Sequence, residues 1–279
     1  VKLRYTMQLT VTALLAGSAA AFSIQGPAHL MQRRSIAMPR SCGVSLQADT
    51  ATGPLAADMK VPSVKVQGNT LKTWDLGDEG TQRVQLKITS GGRPVDANIE
   101  LWHTPSYIPT KFRVYTEDGI VRPVDAIIET PKHPKTVAVY NTGSIDFPFD
   151  ATVANTGLAS AYECIGNGES ELVQGGRITS YAFGAEVDSV QILLKSDERN
   201  MKAKIELTQG PNQVKQIIEV YASVGYKNPF YCVIQTPGSA NAIRVINQNT
   251  VEFPFNAWVL PFETGAGNDS EPVMGGGGF

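Results

Sequence analysis

Short runs of alternating apolar and polar residues follow one another along most of the chain, and they come in two series with the same order. Val84, Leu86 and Ile88 answer to Val190, Ile192 and Leu194; Ile99 and Leu101 to Ile205 and Leu207; Phe112 and Val114 to Ile218 and Val220. Ala126 and Ile128 likewise match Cys232 and Ile234, and Val137 and Val139 match Ile243 and Val245. Alternation with period two predicts half-buried strands, because successive side chains leave opposite faces of an extended chain. Gly, Pro, Asn and Asp bound the runs at roughly ten-residue intervals, the spacing of a β-sandwich or small barrel. With further strands at 71–76 and 145–153 and their counterparts at 178–183 and 251–259, each series holds seven.

Displacing the chain by 106 positions superposes residues 84–153 on 190–259 without a gap, and 23 of the 70 positions are identical. Upstream the displacement becomes 107, which sets Val66-Gln67-Gly68 on Val173-Gln174-Gly175. So long a period exceeds the roughly 20–50 residues of a solenoid repeat. The pattern therefore predicts an all-β protein: two tandem, internally repeated β-sandwich-like domains, 66–153 and 173–260, related by pseudo-twofold symmetry.

The recurrence is densest at Phe147-Pro148-Phe149 and Phe253-Pro254-Phe255. Read as one strand, Ile145, Phe147, Phe149, Ala151 and Val153 share the core face, as do Val251, Phe253, Phe255, Ala257 and Val259. Pro148 and Pro254 cannot donate to a ladder, which predicts an edge strand or a bulge. Gly119 with Gly225, and Pro123 with Pro229, mark a turn read as needing glycine's backbone freedom. Trp258 falls on the face opposite the phenylalanines, where repeat 1 has Thr152. An outward Trp calls for a cover from the partner domain, the chain's own tail or arm, or a neighbouring subunit. Its enrichment in interface hot spots favours a contact between units.

Charge changes the picture at the start of the chain. Residues 1–40 hold five Lys and Arg and no acid, and within them an apolar run at 9–21 ends in small residues. That is the composition of a signal peptide, too short for a stable membrane span, followed by a transit segment, and the two-part layout resembles plastid-targeting leaders. Met7 stands just ahead of the run as a candidate initiator, and Phe22 just after the Ala-rich stretch. An extended arm (41–65), a linker rich in Gly and Asn (154–172) and an acidic, glycine-rich tail (261–279) complete the expected layout. Of the 24 basic residues, 19 lie after residue 40 against all 26 acids, a formal charge of −7, which argues against nucleic acid as a partner. Cys232 aligns with Ala126 and reads as a small buried residue rather than part of a disulfide framework.

Candidate chemistry does not assemble. His29 lies in the leader, His103 and His133 align with Gln209 and Ser239, and no metal-binding, nucleophile-elbow or phosphate-loop motif is present, so no catalytic residue, metal or cofactor is predicted. Glu100 and Glu206 recur as outward acids, but each repeat supplies one, where a glycosidase needs a pair across a cleft. Trp74, Trp102 and Trp258 align with Tyr181, Thr208 and Thr152, which does not make a duplicated sugar platform. Gln85 with Gln191, Glu100 with Glu206 and Tyr115 with Tyr221 are nevertheless identical where core packing makes no demand. Tyr115, Tyr221, Glu100, Glu206 and Trp258 are accordingly the candidate assembly residues.

A plastid-type leader, paired Phe147-Pro148-Phe149 and Phe253-Pro254-Phe255 signatures in duplicated β-domains, and a glycine-rich acidic end together resemble the diatom pyrenoid shell proteins. The resemblance implies a structural subunit that assembles with itself into a sheet around the Rubisco-filled pyrenoid, in the chloroplast stroma at the pyrenoid periphery. It implies support of CO2 concentration and fixation, no cofactor, and Rubisco or other shell proteins as further partners. The alternative is a carbohydrate- or ligand-binding β-sandwich module of the plastid or secretory route.

Overall fold

The computed structural model describes residues 62–77, 80–103, 107–155, 159–210 and 213–265. The expected leader, most of the arm and most of the tail lie outside them. Repeat 1 supplies β1 (Val64–Val66), β2 (Leu71–Asp75), β3 (Arg83–Thr89), β4 (Val95–Trp102), β5 (Thr110–Thr116), β6 (Val124–Glu129), β7 (Thr136–Asn141) and β8 (Phe149–Asn155). One helix, α1 (Ala159–Ile165), follows. Repeat 2 supplies β9 (Glu171–Val173), β10 (Ile178–Ala182), β11 (Val187–Lys195), β12 (Met201–Gln209), β13 (Val214–Ala222), β14 (Phe230–Gln235), β15 (Asn241–Asn247) and β16 (Phe255–Thr264). Among the described residues each repeat thus holds eight strands rather than seven. The additional pair, β1 and β9, are three-residue edge strands too short to show alternation.

The strands form two antiparallel eight-stranded sheets, and each repeat contributes four strands to each. Sheet I runs β1-β8-β3-β6-β14-β11-β16-β9, and sheet II runs β10-β15-β12-β13-β5-β4-β7-β2. The repeats therefore join through both sheets. At the joints, Cys232 faces Ala126 where β14 meets β6, and Glu219 faces Arg113 where β13 meets β5. Each of these residues lies opposite its own counterpart 106 positions away, so a pseudo-twofold axis pierces both sheets at these pairs.

Alternating residues from the two inner faces fill the space between the sheets. Val84, Leu86, Ile88, Ala126, Ile128, Phe149 and Ala151 come from sheet I, and Val95, Ile99, Phe112, Val114, Val137 and Val139 from sheet II, with their repeat-2 equivalents. At the junction Phe112 meets Phe230 edge to face, 5.1 Å between ring centres. Cys232 is buried among these residues as a free thiol whose pKa burial drives upward.

A second apolar cluster lies outside sheet I. Ile165 and Tyr162 of α1 pack with Ile127, Leu193, Tyr231, Val233, Trp258, Leu260 and Phe262. The helix was not legible in the sequence because seven residues show barely two turns, too few for a periodic signal.

Candidate assembly surfaces

The Phe-Pro-Phe signature is a turn followed by a strand, not one strand. Phe147 N–H donates to the Ser144 carbonyl at 3.0 Å, and Phe253 N–H donates to the Thr250 carbonyl at 3.0 Å. The strand begins only at Phe149 or Phe255. Phe149 and Phe255 are each 1 % exposed, whereas Phe147 is 37 % exposed and Phe253 is half-buried. The expectation that Ile145, Phe147, Val251 and Phe253 share the core face is thus corrected. The alternation holds from Phe149 to Val153 and from Phe255 to Val259, and fails ahead of the prolines because the backbone is turning there. Pro148 and Pro254 sit before the ladder, so β8 and β16 need not be edge strands. They lie inside sheet I, between β1 and β3 and between β9 and β11.

Residues that the alternation did not single out hold this turn. Asn141, fully buried, donates its side-chain N–H groups to the carbonyls of Val66 (3.1 Å) and Phe147 (2.9 Å). Asn247 does the same to Val173 (3.0 Å) and Phe253 (2.9 Å). A buried amide must be paired, and this one ties the edge strand, the end of β7 or β15 and the Phe-Pro turn into one unit. A Cβ at Gly68 would overlap the Ser144 carbonyl, and one at Gly175 the Thr250 carbonyl, so both positions require glycine for close backbone approach. The signal was present in the sequence: Asn141 and Asn247 are among the identities between the repeats. Proximity likewise explains Gly119 and Gly225, whose φ is not positive. A Cβ there would collide with Ser90 or Ser196, which corrects the reading of conformational freedom.

Four of the five candidate assembly residues share one surface, the outer face of sheet II around the axis. Tyr115 is exposed, and Tyr221 lies under the Lys111 ammonium, 5.7 Å from the ring centre. Glu100 accepts a hydrogen bond from the Trp102 indole at 2.8 Å. Glu206 pairs with Lys204 at 2.8 Å and approaches Arg244 at 3.9 Å. Between them Arg113 holds Asp96 in a two-pronged contact (3.1 and 2.8 Å), and this guanidinium keeps the Asp96 carboxyl below its usual range although burial opposes it. A shallow groove of about 240 Å³ crosses the axis here, walled by Glu100, Lys111, Arg113, Lys202, Glu219 and Tyr221.

Trp258 is not part of that surface. It lies on the outer face of sheet I, where its indole donates to the Gly168 carbonyl at 2.9 Å and its ring joins the α1 cluster. The favoured cover, a contact between units, gives way to the chain's own linker. The remaining repeated pair is also explained inside sheet I. Gln85 donates to Asp125 at 2.8 Å, and Gln191 accepts from the Tyr231 hydroxyl at 3.2 Å, Asp125 and Tyr231 being repeat equivalents. Burial pushes the Asp125 carboxyl up to about 7 against the pull of Gln85 and Lys87.

The three tryptophans share no platform, since Trp74 packs on the core, Trp102 lies on sheet II and Trp258 under α1. His103 is buried against the Pro134 carbonyl (3.2 Å), with its pKa lowered by burial, while His133 is exposed. Among the described residues no group of three or more His, Cys, Asp and Glu could hold a metal, and no helix is long and apolar enough to cross a membrane.

The family described as diatom pyrenoid shell protein matches residues 56–261, through both repeats. Among solved structures, procruciferin, an 11S globulin from Brassica napus, is similar at 10 % identity over 70 % of this chain and 76 % of that one, with a TM-score of 0.20. Among curated proteins none matches the chain.

Proposed function

The chain belongs to the diatom pyrenoid shell protein family, and from that premise we propose that it is a structural subunit of a self-assembling sheet that encloses the Rubisco-containing pyrenoid and supports CO2 concentration and fixation. The observation that carries this reading is the extent of the family match, which begins before β1 and runs to Pro261 in the last strand. In this role the chain acts through surfaces. Its first partner is another copy of itself, with Rubisco and other shell proteins as further candidates, in the chloroplast stroma at the pyrenoid periphery.

The body supports such a role physically. Two like halves turned about an axis present like surfaces at opposite ends, and a contact between different patches that does not close a ring repeats without limit. The outer face of sheet II, with Tyr115, Tyr221, Glu100 and Glu206 beside charges of both signs, is a candidate contact surface of this kind. The test is light scattering and negative-stain microscopy of the purified chain without ligand across a concentration series. Extended sheets above a threshold concentration are expected. A discrete monomer at every concentration overturns the reading.

A further inference from the structure

Four of the five most exposed large apolar side chains among the described residues sit on loops and form two repeat-equivalent pairs. Ile120 (64 %) corresponds to Tyr226 (58 %), and Ile145 (74 %) to Val251 (71 %). Single exposed apolar residues are ordinary, but the same two held at the same two places in both repeats are not scatter.

Their turns are fixed. In repeat 1 the Gly119 N–H donates to the Arg93 carbonyl at 3.2 Å while the Arg93 guanidinium donates to the Asp146 carbonyl, tying the turn of Ile120 to that of Ile145. In repeat 2 the Gly225 N–H donates to the Arg199 carbonyl at 3.0 Å and the Arg199 guanidinium to the Glu252 carbonyl. The same arginine thus builds one tip per repeat. Because β5 and β13 are antiparallel neighbours, the tips point in opposite directions. Glu117, beside Ile120, bonds to Lys215 at the start of β13 (3.2 Å), whereas Ser223, beside Tyr226, bonds to Pro109 at the start of β5 (2.8 Å).

We propose that the two tips are contact sites for further copies of this chain, the Ile120/Ile145 tip of one copy seating on the Tyr226/Val251 tip of the next, so that copies line up in an open row. This rests on the shell reading and names the surfaces through which it would be realised. The occupant follows from the duplication and from charge. At the repeat-2 tip the exposed Asp197 and Glu198 stand where repeat 1 has Gly91 and Gly92, and Lys227 stands where repeat 1 has Val121. Two repeat-2 tips facing each other would set these acids against their own copies, and like charges across an interface are costly. Two repeat-1 tips would leave the repeat-2 tip bare. The mixed contact takes Asp197 and Glu198 away from their own copies and covers all four apolar side chains, and a contact between unlike patches at opposite ends propagates.

The test uses full-length Ile145→Asp and Val251→Asp chains, with sedimentation and mass photometry for assembly and a thermal melt for folding. Each variant alone is expected to raise the threshold concentration by roughly tenfold or more. An equimolar mixture is expected to give discrete dimers, since Val251→Asp keeps an intact repeat-1 tip and Ile145→Asp an intact repeat-2 tip. Ile120→Asp serves for the first tip if Ile145→Asp does not fold. Variants that assemble at the parental threshold, or that dimerise singly, overturn the tip contact while the shell reading stands. A parental chain that never assembles overturns the shell reading itself.

Discussion

On the outer face of sheet I, repeat 1 carries Lys87, Asp125, Thr152 and Ala154 where repeat 2 carries Leu193, Tyr231, Trp258 and Leu260. The backbones correspond and the inner rows are alike, yet Lys87, Asp125 and Thr152 of repeat 1 are polar where Leu193, Tyr231 and Trp258 of repeat 2 join an apolar cluster. Helix α1, in the segment joining the repeats, packs mainly on this cluster of repeat 2, which Ile127 of repeat 1 extends. Arg83 of repeat 1 fastens it there, pairing with Glu129 (2.7 Å) and with Glu163 of the helix (3.2 Å) and lying 4.5 Å over the Tyr162 ring. The comparison separates two kinds of constraint. Positions that fill the core or close a turn stay alike because both halves need the same geometry, whereas the outer rows diverged to give the linker its apolar seat mainly on repeat 2, with Ile127 and Arg83 of repeat 1 at its margin.

Core constraint predicts the largest effect. Phe149→Ala removes a side chain that is 1 % exposed in the space between the sheets and should destabilise the protein by about 3–5 kcal/mol, as should Phe255→Ala. Phe147→Ala, two residues away, should cost less than about 1 kcal/mol, because that ring is on the turn and already meets solvent. Equal shifts in chemical-denaturation midpoint for the two variants would return Phe147 to the core.

That contrast also marks where the sequence was readable and where it was not. The paired sheets, the pseudo-twofold relation and the inner rows follow from period-2 alternation and the 106-residue displacement, because burial on one face leaves a periodic imprint. The signature misled where a turn precedes a strand. Phe147 and Phe149 are two apart in either case, and spacing alone cannot distinguish an extended chain from a turn closed by the Ser144 carbonyl. Asn141 and Asn247 were visible as identities but not as structure, since their role depends on carbonyls more than 70 residues away in sequence. Alternation puts Trp258 on the face opposite Phe255, and in the structure its ring lies in the cluster under α1. Its cover was missed because a seven-residue helix gives no periodic warning.

The cover on Trp258 gives the second prediction. Trp258→Ala forfeits the bond to Gly168 and the ring contacts under α1, and should lower monomer stability by about 2–3 kcal/mol, since the indole is half-buried rather than enclosed. The equivalent Thr152→Ala on the polar half should stay within about 0.5 kcal/mol. Hydrogen exchange should accelerate in residues 159–165 of the Trp258 variant. An unchanged melt together with weakened assembly would return Trp258 to a contact between subunits.

The smallest effect belongs to the equivalent pair Asp125 and Tyr231. Both side chains leave sheet I outward and both bond to the repeated glutamine of the neighbouring strand, but one ionises and the other does not near neutrality. Burial raises the folded-state pKa of Asp125 to about 7, above the ordinary carboxylate value. Between roughly pH 4 and pH 7 the unfolded chain has therefore released a proton that the folded chain retains, so this residue's contribution to stability falls as pH rises and levels off above about 7. Across the single unit from pH 6 to pH 7 the loss should be about 1 kcal/mol. Asp125→Asn keeps an acceptor for Gln85 without a titrating proton, and its stability should lack that slope. The measurement is the difference between the two denaturation free energies at pH 5, 6 and 7, which cancels every other titrating group. A constant difference would mean that Asp125 is ionised in the folded protein at pH 5, with Lys87, the charge directly across the β3–β6 ladder, holding the carboxylate against the cost of burial.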